Sequence, residues 1–161
     1  MLGAPETTTE RPVGLERRLV FRLLSHWRTL IVEGEGDFPS FADVDPSAMP
    51  DVWPFCFVLD TATDCADDPI VRIAQPSAAG LAGNVIGKPV SELPDATLIA
   101  QACSYAQEVL RKRVPISRGG DFIRRDGMRV LYRSILLPMS DDGENIAGLL
   151  GAANFREVKE P

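Results

Sequence analysis

The stretch Ile86-Gly-Lys-Pro-Val-Ser-Glu-Leu93, together with the Asp126-Gly127 corner downstream of it, decides the fold of this 161-residue chain. Its glycine and proline indicate a turn ahead of a helical segment. Asp-Gly pairs are typical of the tight corners that join antiparallel strands, and a second such corner lies at Asp142-Gly143. Turn, helix and hairpins in this order predict an antiparallel sheet with helices packed on it.

Apolar periodicity extends this prediction along the chain. Strands are expected at 55–60, 70–75, 116–124, 128–139 and 146–155, with helical turns at 77–81. Asp95 is the predicted cap of a long helix that ends near Arg113, ahead of Pro115. The expected fold is therefore of the α+β class: a five-stranded antiparallel sheet with a long N-terminal helix and with helices on one face.

The chain divides into three predicted segments. Residues 1–14 have no apolar period and are predicted to be a disordered tail. Residues 15–54 hold the N-terminal helix and a connector rich in proline and acid, where Asp45 can cap a short helix with Pro46 at its first position. Residues 55–156 form the predicted sheet domain.

The order and spacing of the turn motifs resemble the PAS family of sensor domains. The motifs are the stretch 86–93, Arg124-Arg-Asp-Gly127, Pro138 and Asp141-Asp-Gly-Glu-Asn-Ile-Ala-Gly148. In that family the first turn leads into the long helix, and the strand after the second corner ends in a proline. The resemblance covers roughly residues 55–156. Within the family, the chain is most similar to the short, stand-alone PAS proteins of alphaproteobacteria. The resemblance implies a role in sensing or docking, and a ligand pocket between the long helix and the inner sheet face.

Composition limits the partners. The net charge of −6 argues against nucleic acid as a target, although eight basic residues cluster between Arg111 and Arg133. The apolar runs are too short for membrane insertion, and we expect no signal peptide, because the first fifteen residues lack a basic start followed by an apolar stretch. Three cysteines without metal-ligand spacing suggest free thiols in a reducing cytosol, so we expect a cytoplasmic protein.

Small side chains on the long helix define the candidate ligand pocket, lined by Ile99, Ala102, Cys103, Ala106 and Arg133. They either let the helix pack closely on the sheet or leave room for a small molecule. Arg133 shares a strand face with apolar residues, so it should pair with a carboxylate, receive an anionic ligand or extend outward to solvent. Cys103 is either an inert buried thiol or a redox sensor.

No catalytic residues, metal site or cofactor are predicted. The only histidine, His26, lies in the N-terminal helix, away from any nucleophile or cysteine pair. The resemblance makes haem unlikely, because the long helix has no axial histidine, and it makes cysteinyl-flavin photochemistry unlikely, because the family's flavin motif is missing. A small α+β enzyme is the least favoured alternative.

The N-terminal helix at 15–33 bears on how the protein assembles. Its broad apolar face could cap the sheet of its own chain or form a homodimer centred on Leu19, Leu23 and Trp27. We expect a non-catalytic signalling adaptor that docks regulatory proteins, such as histidine kinases or polar scaffold proteins. The alternative is a small-molecule or redox sensor with its ligand in the pocket.

Overall fold

Five antiparallel strands form a single sheet. They are β1 (Cys56–Asp60), β2 (Ile70–Ala74), β3 (Ile116–Ile123), β4 (Arg129–Ser140) and β5 (Ile146–Val158), in the spatial order β2-β1-β5-β4-β3. This computed structural model describes residues 17–33, 36–62 and 65–158, and the predicted tail at 1–14 lies outside them. The predicted α+β class and five-stranded antiparallel sheet are confirmed.

Four α-helices cover the sheet within the described residues. They are α1 (Arg17–Glu33), α2 (Pro76–Ala79), α3 (Leu98–Cys103) and α4 (Ala106–Lys112). Helix α1 packs on the outer face of the sheet, and α3 and α4 pack on the inner face. The connector after α1 includes the predicted short helix, which is a 3-10 helix at Pro46–Ala48. Its cap is Asp45, whose carboxylate accepts a hydrogen bond from the Ser47 amide at 3.0 Å.

The long helix predicted from Asp95 to Arg113 is two short helices, so that prediction is wrong. Its cap is Thr97, whose hydroxyl oxygen accepts a hydrogen bond from the Ala100 amide. The break follows at Ser104, whose hydroxyl donates to the Gln101 carbonyl at 2.7 Å. Serine competes in this way with helical backbone bonds. The break turns Tyr105 inward, and its hydroxyl forms a buried hydrogen bond with Ser134 on β4 at 2.7 Å.

Strand β4 does not end at Pro138 as the family pattern implied, but continues to Ser140. Strand β3 pairs with β4 only as far as Leu136, so the missing N–H of Pro138 costs no bond to β3. The Pro138 carbonyl instead accepts a buried hydrogen bond from Trp27 Nε1 at 2.9 Å. This bond joins α1 to the sheet.

The α1 side chains predicted to form a dimer are buried within their own chain. Leu19, Leu23 and Trp27 are at most 7% exposed. They pack in one cluster with sheet residues such as Ile135 and Leu150. Helix α1 therefore caps its own sheet, and a second copy could reach these three side chains only if the helix left that sheet.

The centre of the sheet depends on a glycine contact. Gly151 on β5 pairs with Phe57 on β1. A Cβ built at Gly151 would lie within 2.8 Å of three ring carbons of Phe57. The fully buried Phe57 ring therefore lies directly on the β5 backbone, and only glycine leaves room for it.

The β4–β5 corner is held by one carboxylate. Asp142 accepts hydrogen bonds from the amides of Glu144 and Asn145 at 2.9 and 2.8 Å, and from the Ser140 hydroxyl at 2.9 Å. The backbone bond from Asn145 is the largest cause that holds the pKa of Asp142 below its ordinary value of 3.8. Gly143 follows with a positive φ of 86°, and its carbonyl accepts a hydrogen bond from the Asp37 amide at 2.7 Å, which fixes the start of the connector after α1.

We expect Gly151→Ala to lower the free energy of unfolding by about 1–3 kcal/mol, because the added methyl group overpacks the Phe57 ring. Urea denaturation measures this loss. The double variant Phe57→Leu with Gly151→Ala should lose less than the sum of the two single losses, since the smaller leucine frees the space. Strict additivity would contradict the proposed contact.

We expect Trp27→Ala to cost about 3–5 kcal/mol of folding free energy, and Trp27→Phe clearly less, because phenylalanine keeps most of the buried ring but loses the bond to Pro138. Denaturant midpoints recorded at protein concentrations about a hundredfold apart test the capping role. A midpoint of the wild-type protein that rises with concentration would show that a second copy contributes to the stability of the fold.

We expect the stabilisation by Asp142 to be lost in acid. Because its folded-state pKa is lowered, the contribution is complete above the ordinary value of 3.8 and disappears as the pH falls through the folded pKa. The difference in unfolding free energy between wild type and Asp142→Asn should therefore shrink as the pH falls below about 4. Asp141→Asn is the charge-matched control, and an equal pH profile for the two variants would contradict the role of the Asp142 bonds.

Candidate functional site

Four of the five predicted pocket residues lie together on the inner face of the sheet. Ile99, Ala102, Cys103 and Ala106 are at most 3% exposed. They belong to one buried cluster with larger side chains of the sheet and of the helix break: Phe57, Leu59, Tyr105, Leu136 and Leu149. The small residues of α3 thus lie where the helix contacts the sheet closely, and side chains of this chain pack around them.

Arg133 does not belong to this group, and its inclusion in the predicted pocket is wrong. On β4, Tyr132 and Leu136 belong to the inner cluster, whereas Ile135 and Leu137 belong to the outer one. Because side chains alternate along a strand, Arg133 projects from the outer face, towards α1. The sequence pattern had grouped it correctly with Ile135 and Leu137, but only the packing of the helices identifies which face is inner.

Burial governs the chemistry of the cysteines. It raises the pKa of the Cys103 thiol well above its ordinary value and that of Cys56 to about 12. Cys65 is partly buried, and desolvation is the largest cause that raises the pKa of its thiol. Reactive cysteines need an exposed thiolate. Cys103 is 1% exposed and stays protonated near neutral pH, which is the geometry of an inert core thiol.

A groove opens on the inner face beyond the start of α3, and we call it the strand-end groove. Its volume is about 440 Å³. Its lining comes from the start of α3, the β3–β4 corner with the adjoining strand residues, the end of β5, and Gly80 after α2. These residues are Gly80, Ala96, Thr97, Leu98, Phe122, Arg124, Asp126, Val130, Phe155 and Glu157. The sequence patterns did not predict this groove. One reason is that β5 continues three residues past its predicted end at Phe155, and Glu157 in this extension lines the groove.

The rim of the strand-end groove is held by an ion-pair network. Arg124 Nη2 lies 2.9 Å from Asp126 and 2.8 Å from Glu157. The hydrogen bond with Asp126 is the largest cause that raises the pKa of Arg124. The network ties the β3–β4 corner to the end of β5, so the apolar floor formed by Phe122, Val130 and Phe155 has a fixed, charged border.

Two further observations on the described residues concern metal ligands and membrane-spanning helices. Among 17–33, 36–62 and 65–158, no three His, Cys, Asp or Glu side chains stand close enough together to hold a metal ion. His26 Nε2 instead accepts a hydrogen bond from the Asp45 amide at 3.4 Å, which links α1 to the connector. No helix in this part of the chain has both the length and the apolar character to span a bilayer.

Solved structures to which this chain is similar include light-oxygen-voltage and PAS domains. One is a light-oxygen-voltage domain from a study with a flavin analogue, 16% identical, with 71% of this chain and 84% of that chain covered and a TM-score of 0.47. The light-oxygen-voltage domain of a blue-light activated histidine kinase from Erythrobacter litoralis is 14% identical over 64% and 95% of the two chains, with a TM-score of 0.46. The PAS domain of an HTR-like protein from Haloarcula marismortui is 18% identical over 64% and 79%, with a TM-score of 0.40.

Sequence comparison gives the family directly. No curated protein matches the chain. The family model for the PAS domain matches residues 17–154, which include helix α1 as well as the whole of strands β1 to β4 and most of β5. The chain therefore belongs to the PAS domain family, whose members are signalling domains.

Proposed function

We propose that this PAS domain is a non-catalytic, cytoplasmic signalling adaptor that docks a regulatory protein, with histidine kinases and polar scaffold proteins as the expected classes of partner. The observation that carries the proposal is the packing of the inner face. Ile99, Ala102 and Cys103, where the family places its ligand pocket, are at most 1% exposed among the chain's own side chains. A domain whose pocket position is filled by its own side chains transmits a signal through contacts that other proteins make with its surface.

The strand-end groove is the docking surface that we favour. Its floor is apolar, and Phe155, which lines it, is 38% exposed. An exposed aromatic side chain bordered by fixed charges is typical of an interface centre with a polar rim.

A homodimer remains part of the proposal, although the helix side chains named from the sequence are buried. Phe21 is 38% exposed on the side of α1 that faces away from the sheet. A second copy would therefore contact the face of α1 that carries Phe21, while Leu19, Leu23 and Trp27 stay in the core.

A small-molecule sensor is the second candidate, and the volume of the strand-end groove favours it. At about 440 Å³ the groove falls within the usual range for small-molecule sites. Native mass spectrometry of protein purified from its own host separates the two functions. A bound small molecule at one per chain would support the sensor and count against an adaptor that acts by contact alone.

We expect Ala96→Asp to abolish partner docking, because it places a charge at the apolar groove. Ala96 has a φ of 60°, a conformation that aspartate tolerates, so the fold should persist. Affinity purification from the host, with wild-type and variant protein as bait, measures the loss.

The matched control is Ala42→Asp, the same substitution at an exposed alanine of the connector, and it should retain the partner. Equal loss with both variants would contradict the strand-end groove as the docking surface. Recovery of nothing but background proteins with wild-type bait would contradict the adaptor itself.

A further inference from the structure

The two edges of the sheet differ in how far the chain covers them. At the edge of β2, the Val71 amide donates to the Lys88 carbonyl at 3.0 Å, and the Val71 carbonyl accepts a hydrogen bond from the Gly87 amide at 2.7 Å. At the opposite edge, β3 is the last strand, and β4 is its one partner among residues 17–33, 36–62 and 65–158. The free side of β3 (Ile116–Ile123) is an open edge of eight residues, which we call the β3 edge.

The alternation of ladder bonds identifies the backbone groups that the β3 edge presents. The Arg124 amide donates to the Met128 carbonyl at 2.8 Å, so the amide of Arg124 points towards β4. The register of β3 with β4 continues from there without a shift. Bonded and non-bonded residues alternate along an antiparallel pair. The even-numbered residues of β3 therefore bond to β4, and the N–H and C=O groups of the odd-numbered residues point outward. These are Ser117, Gly119, Asp121 and Ile123.

The side chains of β3 leave this edge accessible. Natural edge strands are commonly blocked by proline, by a bulge or by charged side chains, and β3 contains neither a proline nor a bulge. Its two charged side chains are held against their own chain. Arg118 pairs with Glu108 and lies over the Tyr105 ring at 5.1 Å, and Asp121 accepts a hydrogen bond from Arg129 at 2.9 Å. The two glycines in the middle of the strand place no side chain at the edge.

Exposed basic residues flank both ends of β3 along the chain. Arg111 and Arg113 precede it at the end of α4, and Arg125 follows it in the β3–β4 corner. None of the three forms an ion pair with a described carboxylate, and Arg113 donates to the Glu144 carbonyl at 2.8 Å. Antiparallel pairing with the β3 edge of a second copy would bring basic ends together. A strand with acidic ends would instead meet opposite charge at both ends.

We propose that the β3 edge binds an extended, acidic segment of a partner protein, which joins the sheet as an added strand. Main-chain hydrogen bonds to the outward-facing residues supply affinity, and the flanking arginines favour acidic residues at the ends of the segment. The inference rests on the proposed adaptor function and names the element of the partner that docks. Phe122 of β3 lines the strand-end groove, so the added strand lies beside that surface.

The test begins with the selection of random octapeptides, displayed on phage, against the full chain. We expect the selected peptides to be rich in Asp and Glu. Amide hydrogen exchange is then measured with the strongest peptide, made synthetically and present at about ten times its Kd. Exchange at the outward-facing amides of β3 should slow by about tenfold, because bound chains are protected in proportion to ligand excess. The amides between them already bond to β4 and should change little.

Ser117→Pro removes one outward-facing N–H and no bond to β4, so it should weaken peptide binding by about fivefold or more. Ser117→Ala, the matched control, keeps the N–H and should bind within about twofold of wild type. Thermal unfolding verifies that both variants are folded. Enrichment of no peptide, exchange protection without the alternating pattern, or equal affinity of the two variants would overturn the proposal.

Failure of this inference can be distinguished from failure of the adaptor function by affinity purification from the host. If Ala96→Asp loses the partner while Ser117→Pro retains it, the adaptor stands and strand addition is contradicted. If selected acidic peptides protect the β3 edge while wild-type bait recovers only background proteins, the strand-binding site stands and the adaptor is contradicted.

Discussion

The small side chains of β5 are the constraint on which the rest of the molecule depends. This strand is at the centre of the sheet, and its middle contains Gly148, Gly151, Ala152 and Ala153. The Phe57 ring lies on Gly151, and a Cβ at Gly148 would collide with the Leu59 carbonyl oxygen and with the Phe41 ring. Because β5 occupies so little space, large side chains from its neighbours cover it on both faces. Cores of this density leave few internal voids.

Close packing at the centre moves the sites of interaction to the ends of the strands. Helix α1 covers the outer face with its apolar residues, and α3 and α4 cover the inner face. The strand-end groove lies beside the start of α3, at the end of the sheet where Phe155 of β5 contributes to its lining.

Sequence patterns predicted the elements of the fold well, and they failed where distant residues decide. The five strands and both Asp-Gly corners were predicted because each depends on local alternation or on a glycine with positive φ. The continuous helix at 95–113 was wrong because the break at Ser104 serves a bond between Tyr105 and Ser134, 29 residues apart. The family pattern alone implied that β4 ends at Pro138, whereas apolar alternation correctly extended the predicted strand to residue 139.

The sequence by itself determined the sheet, the order of its elements and the PAS family, because alternation, turn glycines and motif spacing are local and read along the chain. It also indicated that Ile99, Ala102 and Cys103 share one face of a helix. Only the tertiary structure decided which strand face is inner, and so placed Arg133 on the outer face rather than in the pocket. It likewise decided that Leu19, Leu23 and Trp27 are core residues. An apolar helix face has the same pattern whether it covers its own sheet or a second copy, and only the position of the sheet distinguishes the two.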